Sequence, residues 1–142
     1  MALLNPYLNF RGNAREAMEF YQSVFGGDLD ISTFADFQMP GISEDEMGWV
    51  MHSQLTTSAG FVLMGADTPS VMEYVPPQGM TIALSGNEVD ELRGYFEALS
   101  DGATVEIPLE LAPWGDLYGQ LTDKYGTSWM ASIDVSGQAD QN

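Results

Sequence analysis

The sequence predicts an α+β fold in which one βαβββ module is used twice. Three observations carry the prediction. First, Gln54-Leu55-Thr56 recurs as Gln120-Leu121-Thr122, and the same 66-position offset brings Gly60 onto Gly126 and Met64 onto Met130. Each copy reads as an apolar run, a glycine turn and a second apolar run, the pattern of a β-hairpin. Second, Tyr7-Leu8-Asn9-Phe10 runs into Gly12-Asn13 as Ile82-Ala83-Leu84-Ser85 runs into Gly86-Asn87. Third, Ala17, Phe20, Tyr21 and Val24 fall at i, i+3, i+4 and i+7, and Leu92, Tyr95, Phe96 and Leu99 repeat that stripe 75 positions on. Each stripe gives a helix one apolar face. Element order, stripe and hairpin recurring together mark an internal repeat.

In chain order the expected elements are a strand over 3–10, a helix over 13–25 and a strand over 28–35, then strands near 48–57 and 61–66. The second module has a strand at 80–85, a helix at 87–99, a strand at 103–110, and strands near 117–123 and 127–133. Asn13 with Glu16 has the form of a capping box, and Asn87 is the second N-cap candidate. Gly27 and Gly102 stand where left-handed C-caps are expected. The modules, about 3–67 and 80–134, belong to a single domain over 1–135, and residues 136–142 are expected to be a disordered tail. With a helix on one face of each curved, mostly antiparallel sheet, the other face is left as a concave wall, and two such walls are expected to form a trough. Two connections, 36–48 and 67–79, exceed the usual 4–6 residues, which makes them candidate lids.

Composition bounds the function. The chain has 142 residues, 44% of them hydrophobic, an ordinary fraction for a globular protein. It has no cysteine, which excludes disulfides, thiolate metal sites and a thiol nucleophile. Asp and Glu number 21 against four Lys and Arg, for a net charge of −17. Such a surface repels phosphate backbones and anionic bilayers, so neither nucleic acid nor membrane is an expected partner. No apolar run approaches the ~20 residues that span a bilayer. No basic-then-apolar leader stands at the N-terminus, and a cytoplasmic protein is expected. The acidic balance fits either an ordinary solvated face or a salt-rich habitat, where self-repulsion is screened.

A set of motifs stands out: Pro6-Tyr7-Leu8-Asn9-Phe10 with Gly12-Asn13, Ala17-Met18-Glu19-Phe20-Tyr21 running into Phe25-Gly26-Gly27, Met51-His52, Trp114-Gly115, Gly119, Asp123-Lys124-Tyr125-Gly126 and Trp129. In these the chain resembles the vicinal oxygen chelate superfamily, that is, the glyoxalase/bleomycin resistance/dioxygenase proteins, and within it the PhnB-like group labelled 3-demethylubiquinone-9 3-methyltransferase-like. The resemblance implies the glyoxalase/bleomycin resistance fold and a homodimer. Metal enzymes of the superfamily hold one divalent cation with side chains from the first and last strands of each unit. Carried over, those places are Pro6, Met64, Thr81 and Met130. None is an imidazole or carboxylate, so neither a metal nor another cofactor is expected, and the label does not establish methyl transfer. A doubly wound nucleotide fold would show a glycine-rich turn opening a helix, whereas Gly26-Gly27 closes one.

The only histidine, His52, is a weak catalytic candidate, and Tyr118 is its repeat counterpart. Asp36, Glu106 and Glu110 are no better as its acid/base partners than other carboxylates. The expected ligand pocket comprises Tyr7, His52, Met64, Thr81, Trp114, Tyr118, Trp129 and Met130, a ring-and-thioether lining suited to a small flat, apolar or cationic molecule. Trp49 is a further aromatic candidate, and core packing is expected to claim some of these rings. The leading expectation is a metal-free small-molecule-binding protein. The alternatives are a lyase, isomerase or dioxygenase with a non-standard metal site including His52, and a protein whose dimer interface is its function.

Overall fold

The computed structural model describes residues 3–76 and 78–139. The chain divides into two compact units, Met1–Pro76 and Pro77–Asn142. The first contains β1 (Tyr7–Phe10), α1 (Ala14–Phe25), β2 (Asp28–Thr33), β3 (Val50–Thr56) and β4 (Val62–Asp67). The second contains β5 (Ile82–Gly86), α2 (Val89–Leu99), β6 (Thr104–Leu111), β7 (Leu117–Thr122), β8 (Ser128–Ile133) and a final turn of helix, α3 (Ser136–Ala139). The sheet orders are β1-β4-β3-β2 and β5-β8-β7-β6, each with one parallel pair, β1–β4 or β5–β8. The predicted βαβββ order holds in both units. Neither sheet is the all-parallel kind on which dinucleotide folds are built.

In the first unit α1 buries Ala14, Ala17, Met18 and Tyr21 against one face of its sheet, where Leu8, Phe10, Leu55 and Leu63 complete the core. In the second, α2 buries Leu92, Phe96 and Leu99, with Leu84, Leu121, Trp129, Ala131 and Ile133 as the sheet's share. Because strand side chains alternate, the residues between these point to the opposite face.

Several expected boundaries move. β1 begins at Tyr7, since the parallel ladder with β4 opens at Tyr7↔Met64, and Leu3 and Leu4 before it are exposed. β2 stops at Thr33, where a bulge leads into a 3₁₀ turn at Ala35–Phe37. A second 3₁₀ turn, Glu44–Glu46, gives form to the 36–48 connection. The Glu46 carboxylate is buried there and accepts the backbone N–H and hydroxyl of Ser70 at 3.0 and 3.1 Å, so the two long connections are tied to each other. The expected tail forms α3 at Ser136–Ala139, where the Ser136 N–H donates to Asp134 at 2.9 Å and holds that carboxyl below its ordinary range. The rest of the tail, 140–142, lies outside the described residues.

The caps also differ from expectation. Asn13 makes no side-chain cap bond, and α2 starts at Val89, beyond Asn87. Instead Asp67, 5% exposed at the end of β4, places Oδ1 on the N–H groups of Gly12 (2.7 Å) and Ala14 (3.0 Å) and Oδ2 on the Val50 N–H (3.0 Å). At the other end Gly26 is the C-cap, with φ 74°, and its N–H donates to the Gln22 carbonyl at 2.7 Å. Gly27 has φ 93°, and a Cβ there would lie 2.3 Å from the Thr56 carbonyl oxygen, so β3 comes within reach only because that position lacks a side chain.

The edge strand β6 is irregular, with register shifts between Val105 and Ile107 and between Ile107 and Glu110. Pro108 falls inside the second shift, where a missing N–H removes no regular ladder bond. Tyr95 donates its hydroxyl to Glu91 Oε1 at 2.6 Å on α2.

Asp67→Ala strands three backbone N–H donors and is expected to cost roughly 2–4 kcal/mol in chemical denaturation, while Asn13→Ala changes stability by less than about 0.5 kcal/mol. Equal costs for the two would refute the assignment of the cap. The Tyr95 hydroxyl is pushed up to about 12, first by burial and then by Glu91. A raised folded value stabilises fully below the ordinary tyrosine value of about 10 and is lost as pH climbs through the folded one. Stability is therefore expected to fall over that alkaline window, and Tyr95→Phe should flatten the fall. An unaltered alkaline profile in the variant would rule this out.

Candidate functional site

Strand register defines the open face of each sheet, the one turned away from the unit's own helix. In the first unit one row runs Tyr7, Met64, Gln54, Asp30 across β1, β4, β3 and β2. His52 stands on the same face, one row along, opposite Ser32. Tyr7 is 48% exposed, and His52, Gln54 and Met64 are part-exposed. The Tyr7 hydroxyl lies 3.2 Å from His52 Nδ1, and the two rings stack with centroids 5.8 Å apart at 29°. Partial burial raises the Tyr7 hydroxyl above its ordinary value, so it stays protonated.

In the second unit the matching rows are Ala83, Met130, Gln120, Ile107 and Ser85, Ser132, Tyr118, Glu110. The Tyr118 hydroxyl reaches Gln120 Oε1 at 3.5 Å and Met130 Sδ at 4.0 Å. Trp114, 65% exposed on the turn before β7, meets the Tyr118 ring edge-on at 5.6 Å and 71°. Thr81 and Ser128 share a hydroxyl–hydroxyl bond of 2.9 Å at the margin of this face.

The expected pocket residues are thus brought together in two groups: Tyr7, His52 and Met64 on one sheet, Thr81, Trp114, Tyr118 and Met130 on the other. Trp129 leaves the set. It alternates with Met130, is 2% exposed in the second unit's core, and donates its indole N–H to Asp123 Oδ2 at 2.8 Å. Gln54 and Gln120 belong beside the methionines and were legible in the repeated Gln-Leu-Thr. Trp49 is part-exposed and lines a depression of about 320 Å³ at the start of α1, together with Gly12, Asn13, Arg15, Gly48 and Asp67. The second unit has a comparable depression of about 390 Å³ beside Gly86, Asn87, Asp116 and Asp134.

Within the first unit the His52 ring meets Tyr7 rather than the candidate acid Asp36. Asp36 accepts the Thr33 N–H at 2.8 Å within its own turn, Glu106 accepts the Thr122 hydroxyl at 3.0 Å, and Glu110 stands opposite Tyr118. The superfamily's metal positions also shift. Register places Tyr7 beside Met64 and Ala83 beside Met130, so the first strands repeat at an offset of 76 (7 to 83), not 75, and Thr81 is not the counterpart of Pro6. Neither reading supplies imidazole or carboxylate donors, so these residues do not fit a zinc, nickel, iron or magnesium ion. Among the described residues no three or more His, Asp or Glu gather closely enough to hold a metal. No helix among them is long and apolar enough to cross a membrane.

This arrangement is the glyoxalase/bleomycin resistance fold, shared with solved proteins. A glyoxalase/bleomycin resistance protein/dioxygenase family enzyme from Burkholderia phytofirmans PsJN superposes with a TM-score of 0.56 at 12% identity, covering 89% of this chain and 95% of its own. The sequence pattern of the family described as 3-demethylubiquinone-9 3-methyltransferase matches residues 3–132, and the chain belongs to that family. Protein PA1353 from Pseudomonas aeruginosa is 30% identical, with a TM-score of 0.81 over 94% of this chain and 98% of its own. The PhnB protein from Bacillus cereus is 25% identical, with a TM-score of 0.72 over 93% and 99%.

Proposed function

We propose that this PhnB-like protein binds a small flat molecule, apolar or cationic, on the open faces of its sheets, without a resident metal. One observation carries the reading. The face away from each helix presents rings, a thioether and a carboxamide in register: Tyr7, His52, Met64 and Gln54 on one sheet, Tyr118, Met130 and Gln120 on the other. Part-exposed rings and thioethers gain from covering by an apolar ligand, at about 25 cal/mol per Å² of apolar surface removed from water. The carboxamides can orient it, and the net charge of −17 draws cations and repels anions. By the resemblance, Met64 and Met130 occupy strand positions where metal enzymes of the superfamily place a ligand, and thioethers there favour apolar contact over divalent coordination.

Methyl-labelled methionine makes the reading testable. Flat apolar or cationic compounds should shift the Met64 and Met130 methyl resonances and leave Met18, fully buried on the sheet-facing side of α1, in place. A screen that moves neither Met64 nor Met130 would refute it. Elemental analysis of purified protein is expected to find no stoichiometric Zn, Ni, Mn or Fe. One equivalent of any of them would favour a metal enzyme that uses His52.

A further inference from the structure

His52 is the chain's only histidine, and its Nδ1 is engaged by the Tyr7 hydroxyl at 3.2 Å. Which atom donates follows from acid strength. A phenol is the stronger acid of the two groups and a neutral imidazole nitrogen the stronger base, so the favourable bond runs from the Tyr7 O–H to Nδ1. A neutral imidazole carries one N–H, so accepting at Nδ1 leaves the proton on Nε2. The two rings lie within 29° of parallel, with the Tyr7 hydroxyl at the Nδ1 edge of the imidazole.

We propose that Tyr7 fixes His52 as its Nε2–H tautomer, making Nε2 a hydrogen-bond donor for the carbonyl or ring-nitrogen acceptor of a flat, uncharged or cationic ligand lying beside Met64 and Gln54. The assignment rests on the small-molecule reading above and narrows it to compounds that carry an acceptor. An anionic acceptor is disfavoured, because the protein's net charge is −17. The second sheet offers no equivalent, since Tyr118 replaces His52 there and directs its hydroxyl to Gln120 and Met130. Acceptor recognition is thus assigned to the first unit.

The test has two arms. With ¹⁵N-labelled histidine, one pair of ring nitrogen signals reports the tautomer at about pH 8, where an ordinary histidine is neutral. The wild type should show a protonated Nε2 and a bare Nδ1, and Tyr7→Phe should give a mixture. A wild type protonated at Nδ1, or a tautomer unmoved by Tyr7→Phe, overturns the assignment. The second arm compares coumarin with naphthalene, flat rings of similar size of which only coumarin carries a carbonyl. Wild type should prefer coumarin about fivefold, the worth of one net hydrogen bond, and His52→Phe should bring the ratio to about one while naphthalene binding persists. Equal binding of both compounds to the wild type overturns the acceptor assignment and leaves small-molecule binding standing. If neither binds, the underlying reading falls and this inference with it.

Discussion

A single buried carboxylate organises the first unit. Asp67 ends β4, yet its oxygens satisfy donors at the exit of β1, the first turn of α1 and the start of β3. Each of those N–H groups would otherwise be buried without a partner or left to water. An unmade buried bond costs more than a made one contributes, so the carboxylate acts less as added stability than as a constraint on which chain segments can meet. Once it fixes the angle between β1 and α1, the helix must lie across one sheet face, and the alternating residues Tyr7, Met64 and His52 must turn to the other. The candidate ligand face is in this sense a consequence of the cap.

Much of the fold was legible because it is written twice. The hairpin repeat identified β3–β4 and β7–β8, and registers such as Gln54↔Met64 and Gln120↔Met130 follow its 66-residue offset. Helix positions came from stripes that only a 3.6-residue period explains. What escaped was non-local. Asp67 stands 53 positions from Ala14, and nothing near Asn13 says that a distant carboxylate takes over its capping role. An acid closing an otherwise apolar strand was the one available signal. The 75-residue helix offset also concealed that the first strands repeat at 76, a one-residue difference in the link from strand to helix. Trp129 was misassigned because parity along a strand cannot be fixed until one neighbour's burial is known.

The site was legible in part, as chemistry rather than geometry. His52 and the methionines were apparent as unusual residues in strand positions, and the repeat linked Met64 to Met130. The phenol beside the imidazole was not, since Tyr7 and His52 lie 45 positions apart and meet across β4, which lies between their strands. The second unit diverges most where the first is most polar: Tyr118 stands for His52, Ala83 for Tyr7 and Ile133 for Asp67. Two copies of one scaffold thus hold similar apolar linings while only one carries an imidazole.

The irregular β6 strand bears on how the protein survives at high concentration. Val105, Ile107 and Leu111 are exposed along a sheet edge, which in a flat, regular strand would invite other chains to add themselves and grow a fibre. Two breaks in register and a proline leave no continuous row of donors for an incoming strand to copy. Glu106 and Glu110 add charge where a second chain would have to lie. The same edge can therefore keep its oily side chains outward without becoming a template for aggregation.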